Sequence, residues 1–197
     1  NALLKEGREL GGTHFIVLDA DELLTSNCLD NNFLRTKILA LKPGDKIQLA
    51  WIQLWRSIDQ YRFDDSVWTH NYKDFIFCDD GKCSYNSEFI HTSRTPKTKG
   101  HVYKLKGYAH GVLHFQWVNW ANVSLKQSWY RCMEHTRLPN KSIQDINKRY
   151  NASLDETNIR YKKSPKKWFD RYTFFDPSCY GHEDTWRKKQ VLEWFEN

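Results

Sequence analysis

The stretch Thr13-His-Phe-Ile-Val-Leu-Asp-Ala-Asp-Glu22 limits the fold more than any other part of the chain. A run rich in β-branched and aromatic residues, Thr13 to Leu18, stops at two carboxylates one residue apart. Such a run reads as a strand buried in a parallel sheet. Open α/β sheets take ligands outside the carboxyl ends of their strands, which is where Asp19 and Asp21 would stand. Two hard oxygen donors suit Mg²⁺ or Mn²⁺, ions that use one or two protein carboxylates and complete their shell with ligand phosphates. The plainer reading is that Asp19-Ala20-Asp21-Glu22 opens a helix carrying Leu23 and Leu24, with acids favoured at its N-terminus.

Other segments supply the partners of an α/β fold. A helix is expected from Asn1 to Leu10, ending at Gly11-Gly12, and another from Leu29 to Leu41. Ile47 to Trp55 reads as a strand buried on both sides. Ile47, Leu49 and Trp51 would line one face, and Ala50, Ile52 and Leu54 the other. Val112 to Val118 is a further strand, with His114 beside Val112, Gln116 and Val118 and with Leu113, Phe115 and Trp117 opposite. Ser124-Leu-Lys-Gln127 fits a capping box for a helix to about His135. Ser142 would cap a short helix to about Tyr150, and Asp184 to Phe195 a last one. The expected architecture is a mainly parallel sheet flanked by helices.

The segments around Asp19 and His114 together resemble the DXD region and the later strand-then-helix part of GT-A glycosyltransferases, most nearly the family-2-like inverting branch. The resemblance runs from about Asn1 to His135, leaving 136–197 as a helical C-terminal extension. It implies that Asp19 and Asp21 hold Mn²⁺ or Mg²⁺ against the diphosphate of a nucleotide-sugar donor. His114 would be a late metal ligand, and the acceptor a carbohydrate or another hydroxyl compound. GT-A domains place further strands, with the nucleoside pocket, before the DXD strand; here twelve residues precede Thr13. The expectation is therefore a partial GT-A fold lacking its nucleotide-binding part, poorly active alone and prone to form a homo-oligomer. Inverting transfer needs a base for the acceptor hydroxyl. Asp65, in an aromatic loop-like stretch, is the candidate. Arg94 and Lys97, in a basic Pro/Gly-containing loop, and His91 just before it are candidates for the donor phosphates. A solvated basic loop is the bland alternative.

Composition narrows the field. Thirty basic against twenty-four acidic residues give a net charge of +6, which favours anionic ligands but is too modest and too dispersed for nucleic acid. No apolar run is long enough to span a membrane. Five cysteines do not make a disulfide framework. Cys78 and Cys83 flank Asp80-Gly81, a two-residue hairpin turn; they could form a cross-strand disulfide, but reduced thiols in a cytoplasmic protein are expected. Nine Trp suit a core and also sugar-face stacking. Two other functions compete: a metal-dependent phosphohydrolase using Asp19, Asp21 and His114, and a carbohydrate-binding module without catalysis.

Overall fold

The computed structural model describes residues 1–86, 92–172 and 185–196. Helix α1 (Ala2–Glu9) is followed by strands β1 (His14–Ile16) and β2 (Glu22–Leu24). A short 3-10 segment, Ser26–Asn32, leads into α2 (Phe33–Leu39). Then come β3 (Lys46–Trp55), β4 (Gln60–Arg62), β5 (Tyr72–Cys78), β6 (Val102–Lys104) and β7 (Gly111–Trp117). Helices α3 (Trp120–Arg137) and α4 (Ile143–Leu154), strand β8 (Tyr161–Lys163) and helix α5 (Thr185–Glu196) complete the chain. The protein is therefore α/β. Among the described residues no helix is long and apolar enough to cross a membrane.

All the strands join one sheet, organised around β3. Its first half pairs with β5 on one side and β6 on the other. Its second half pairs with β7, with a contact to β4. Among the described residues two pairings, β3–β6 and β3–β7, are parallel; the other five are antiparallel. The expected mainly parallel sheet is thus a mixed one. One antiparallel pair follows from a short connection: β3 reverses into β4 over a few residues, whereas parallel neighbours need a long crossover. Strand β1 does not lie beside β3. It pairs antiparallel with β5, His14 opposite Cys78, and is half-exposed rather than buried.

The facing inferred for β3 holds. Ile47 and Leu49 pack with Phe75, Ile76 and Val112 on one side; Ala50, Ile52 and Leu54 pack with Leu113, Phe115 and Trp168 on the other. Trp117 departs from its expected face. Gln53 pairs with His114 but Trp55 with Trp117, so β7 fits three residues against two of β3. That bulge turns Trp117 onto the side of Trp55, where the two indoles stack at 4.8 Å.

Several ends differ from expectation. Helix α3 starts at Trp120, capped by Asn119, whose side chain accepts from Asn122 N; Ser124 lies inside the helix, so its capping box is not used. The Leu29–Leu41 helix is shorter because Asn31 and Asn32 take left-handed conformations, which asparagine tolerates. Ser142 caps α4 as expected, accepting from Asp145 N at 3.1 Å. The hairpin at Asp80-Gly81 does not form. After β5 the chain turns toward α1, Asp79 accepts two 2.7 Å bonds from Arg8, and Cys83 Sγ donates to Asp79 Oδ1 at 3.1 Å. Cys78 and Cys83 are both free thiols.

The C-terminal part is tied to the sheet by β8, which pairs with β4, and by Glu156. Trp55 Nε1 donates to Glu156 Oε1 at 2.6 Å, and Arg56 pairs with both carboxylate oxygens. Arg56 is the main reason that the Glu156 carboxyl falls from 4.5 to about 2; burial opposes the shift and Trp55 supports it. A depressed carboxylate stabilises the fold above its unfolded pKa, and that contribution disappears as pH falls through the folded value. Glu156→Gln should therefore be less stable than wild type at pH 7, with the gap closing between about pH 4.5 and 2. Urea unfolding at pH 7, 4 and 3 checks this; a gap independent of pH would show that the charge is not its source.

Candidate functional site

The segment that the sequence singles out forms a turn rather than a helix start. Glu22 N donates to Asp19 O at 3.0 Å, closing a four-residue β-turn. The chain then enters β2, which runs antiparallel to β7 with Glu22 opposite His114. Phe115 N donates to Asp21 O at 2.9 Å, extending the ladder by one residue. Pairing of β2 with β7 therefore joins two segments about ninety residues apart, and it places Asp21 Oδ2 3.6 Å from His114 Nε2.

Glu22 holds the turn in shape. Its side chain is fully buried. Oε2 accepts from Asp19 N at 2.9 Å and from Arg94 Nη1 at 2.6 Å; Oε1 accepts from Trp51 Nε1 at 2.7 Å and from Arg94 Nη2. Arg94 Nη2 also reaches Asp19 Oδ2 at 3.0 Å. The Arg94 guanidinium lies over Trp51 and Phe75, 5.0 and 4.8 Å from the ring centroids. Its loop is anchored to the start of β3 by a close backbone approach: a Cβ added to Gly100 would lie 2.2 Å from Gly44 C. Arg94 thus spends its donors on Glu22 and Asp19.

His114 has a defined tautomer. Gln53 Oε1 lies 2.7 Å from His114 Nδ1 and 2.9 Å from Trp117 Nε1. An indole N–H can only donate, so the Gln53 atom between them is the oxygen, and Nδ1 must carry the hydrogen it donates. Nε2 then faces the Asp21 carboxylate at 3.6 Å: with a hydrogen it donates to Asp21, and without one it presents a lone pair to a cation. Trp51 stacks on the imidazole at 4.6 Å and fixes its plane.

The nearest cation is Lys126, from α3, with Nζ 3.4 Å from Asp21 Oδ2. Burial alone would raise the Asp21 carboxyl, but His114 and Lys126 together hold it well below the usual carboxylate range. Three carboxylates, Asp19, Asp21 and Glu22, thus face Arg94, Lys126 and the His114 imidazole. The Asp19 side chain is 63% exposed, so the cluster opens to solvent there.

The donor set fits a divalent cation. Ligands at about 2.1 Å from one octahedral ion stand about 3 Å apart when adjacent and about 4 Å apart when opposite, a range that includes the Asp21–His114 spacing. Carboxylate with imidazole suits Mn²⁺. The other nitrogen of a metal-binding histidine normally donates to a fixed acceptor, the place Gln53 takes here.

Asp65 and Lys97 make no hydrogen bond or ion pair with this cluster among the described residues. Asp65 is 95% exposed and accepts from Arg160 Nη2 at 2.6 Å. It lines a cavity of about 480 Å³ with Arg62, Asp64, Ser66 and the 157–160 segment. The structure brings Asp65 to Arg160, not to Asp21. Lys97 is exposed on the loop after Arg94. His91 lies outside the described residues. Sequence reading missed Glu22, Gln53, Trp51 and Lys126 as members of the cluster. Glu22 carried one signal, its adjacency to Asp21; Gln53 carried another, as a polar residue interrupting a doubly buried strand.

Comparison with protein-family profiles, curated proteins and solved structures finds no match to this chain.

Proposed function

We propose that the chain is a metal-dependent glycosyltransferase, or the catalytic part of one, which transfers a sugar from a nucleotide-sugar to a hydroxyl acceptor with inversion. The observation that carries the reading is the Asp21–His114 pair, a carboxylate oxygen and an imidazole nitrogen 3.6 Å apart, with the other ring nitrogen fixed by Gln53. The resemblance of the Asp19–Glu22 and Val112–Trp120 segments to GT-A enzymes supplies the reaction. Asp21 and His114 would hold Mn²⁺ or Mg²⁺, with exposed Asp19 at the solvent side. The ion's contribution would be to stabilise charge growing on the leaving diphosphate. The protein's own contribution is preorganisation. Glu22 and Arg94 hold the turn, while Gln53 keeps a hydrogen on Nδ1 of His114 and Nε2 toward Asp21.

Calorimetry with Mn²⁺ on wild type and Asp21→Ala tests the metal site. Wild type should bind weakly alone and more tightly with UDP or GDP present, because such ions borrow ligands from phosphates; Asp21→Ala should show no binding. Equal binding by both proteins would refute the assignment. Incubation with nucleotide-sugars separates the reactions: a transferase releases nucleoside diphosphate, a phosphohydrolase releases inorganic phosphate.

A further inference from the structure

We propose that Lys126 is the resident counter-ion of Asp21 and is handed to the donor diphosphate when the divalent cation binds; this rests on the metal-centre reading above. Two protein cations stand at the cluster, and their geometries differ. Arg94 is locked by three hydrogen bonds to Glu22 and Asp19 and sits over two aromatic rings. Moving it would strip a buried carboxylate of its partner. Among the described residues Lys126 makes one hydrogen bond or ion pair, 3.4 Å to Asp21 Oδ2, through a flexible four-carbon stem, and its side chain is 19% exposed. A lysine ammonium is a mobile point charge with three rotatable donors, and it binds phosphate as such.

The contact falls on the oxygen that also faces His114 Nε2. A divalent ion held by Asp21 and His114 would take over the charge that Lys126 now neutralises, and like charge would push the ammonium away. With the ion bound, the cluster gains two positive charges, which favours a diphosphate. Lys126, released from its carboxylate beside that ion, is then the free donor for the phosphate oxygens. Its place on α3 ties this exchange to the helix that follows β7.

The two roles predict effects of opposite sign for one substitution, which a merely structural lysine would not produce. In Lys126→Met, Mn²⁺ alone should bind about threefold more tightly, since a competing ion pair of modest strength is gone. Inorganic pyrophosphate, titrated with Mn²⁺ saturating, should bind about tenfold more weakly, for loss of one charge-assisted hydrogen bond. Lys126→Arg should restore pyrophosphate binding. Calorimetry reads all three, with circular dichroism as the folding control. Unchanged constants, or both constants weakened together, overturn the proposal while an intact Asp21→Ala effect leaves the metal centre standing. Absence of Mn²⁺ uptake by wild type overturns both.

Discussion

Replacing Glu22 by alanine should cost about 3–5 kcal/mol of folding stability, the range for removing one partner of a buried ion pair. The loss comes from what remains behind. Arg94 keeps its charge at a largely buried position, and Trp51 Nε1 and Asp19 N lose their acceptor. For a chain of this length the midpoint of thermal unfolding should fall on the order of 10 °C, followed by tryptophan fluorescence. Glu22→Ala combined with Arg94→Met should be less destabilised than Glu22→Ala alone, because the stranded cation is then gone. A single-mutant cost below about 1 kcal/mol would mean that water reaches Arg94 and that the turn is not held as described.

Gln53→Leu should lower Mn²⁺ affinity about 10- to 100-fold, the usual penalty for losing the group that orients a metal-binding histidine. Leucine removes the acceptor that holds hydrogen on His114 Nδ1, and leaves Trp117 Nε1 without that partner. The unpaired indole adds a folding cost of about 1–3 kcal/mol, so affinity is to be measured well below the unfolding midpoint. Gln53→Glu keeps an acceptor oxygen at the same place and should retain most of the affinity. Nitrogen-15 chemical shifts of the His114 ring give an independent reading: wild type should show hydrogen on Nδ1, and Gln53→Leu a mixture of tautomers. A wild-type ring with hydrogen on Nε2 would remove the basis for a metal there.

Much of the fold is visible in the alternation of residue types. The two faces of Ile47–Leu54 follow from side-chain period alone, and helices α1, α4 and α5 follow from apolar spacing and caps. The same alternation misassigned Trp117, because a bulge inserts one residue and reverses the facing beyond it. It also misassigned β1 as part of a parallel sheet. An apolar run states that a strand is covered, not which neighbour covers it or in which direction that neighbour runs.

Asp19, Asp21 and His114 could be picked out from the chain because carboxylates ending an apolar run and a histidine within one are chemically conspicuous. Those choices rest on local sequence, and local sequence also determined the strand faces, most of the helix positions and the excess of basic residues. Only the tertiary structure decided that β2 pairs with β7 in the register that brings Asp21 to His114. It alone brought Gln53 and Trp117 together to place the hydrogen on His114 Nδ1, locked Arg94 onto Glu22 across seventy-two residues, and set Lys126 beside Asp21. The reason is physical: side-chain period and caps act over a few residues, whereas hydrogen bonds between distant segments depend on strand register, and register is chosen by the packing of the whole sheet.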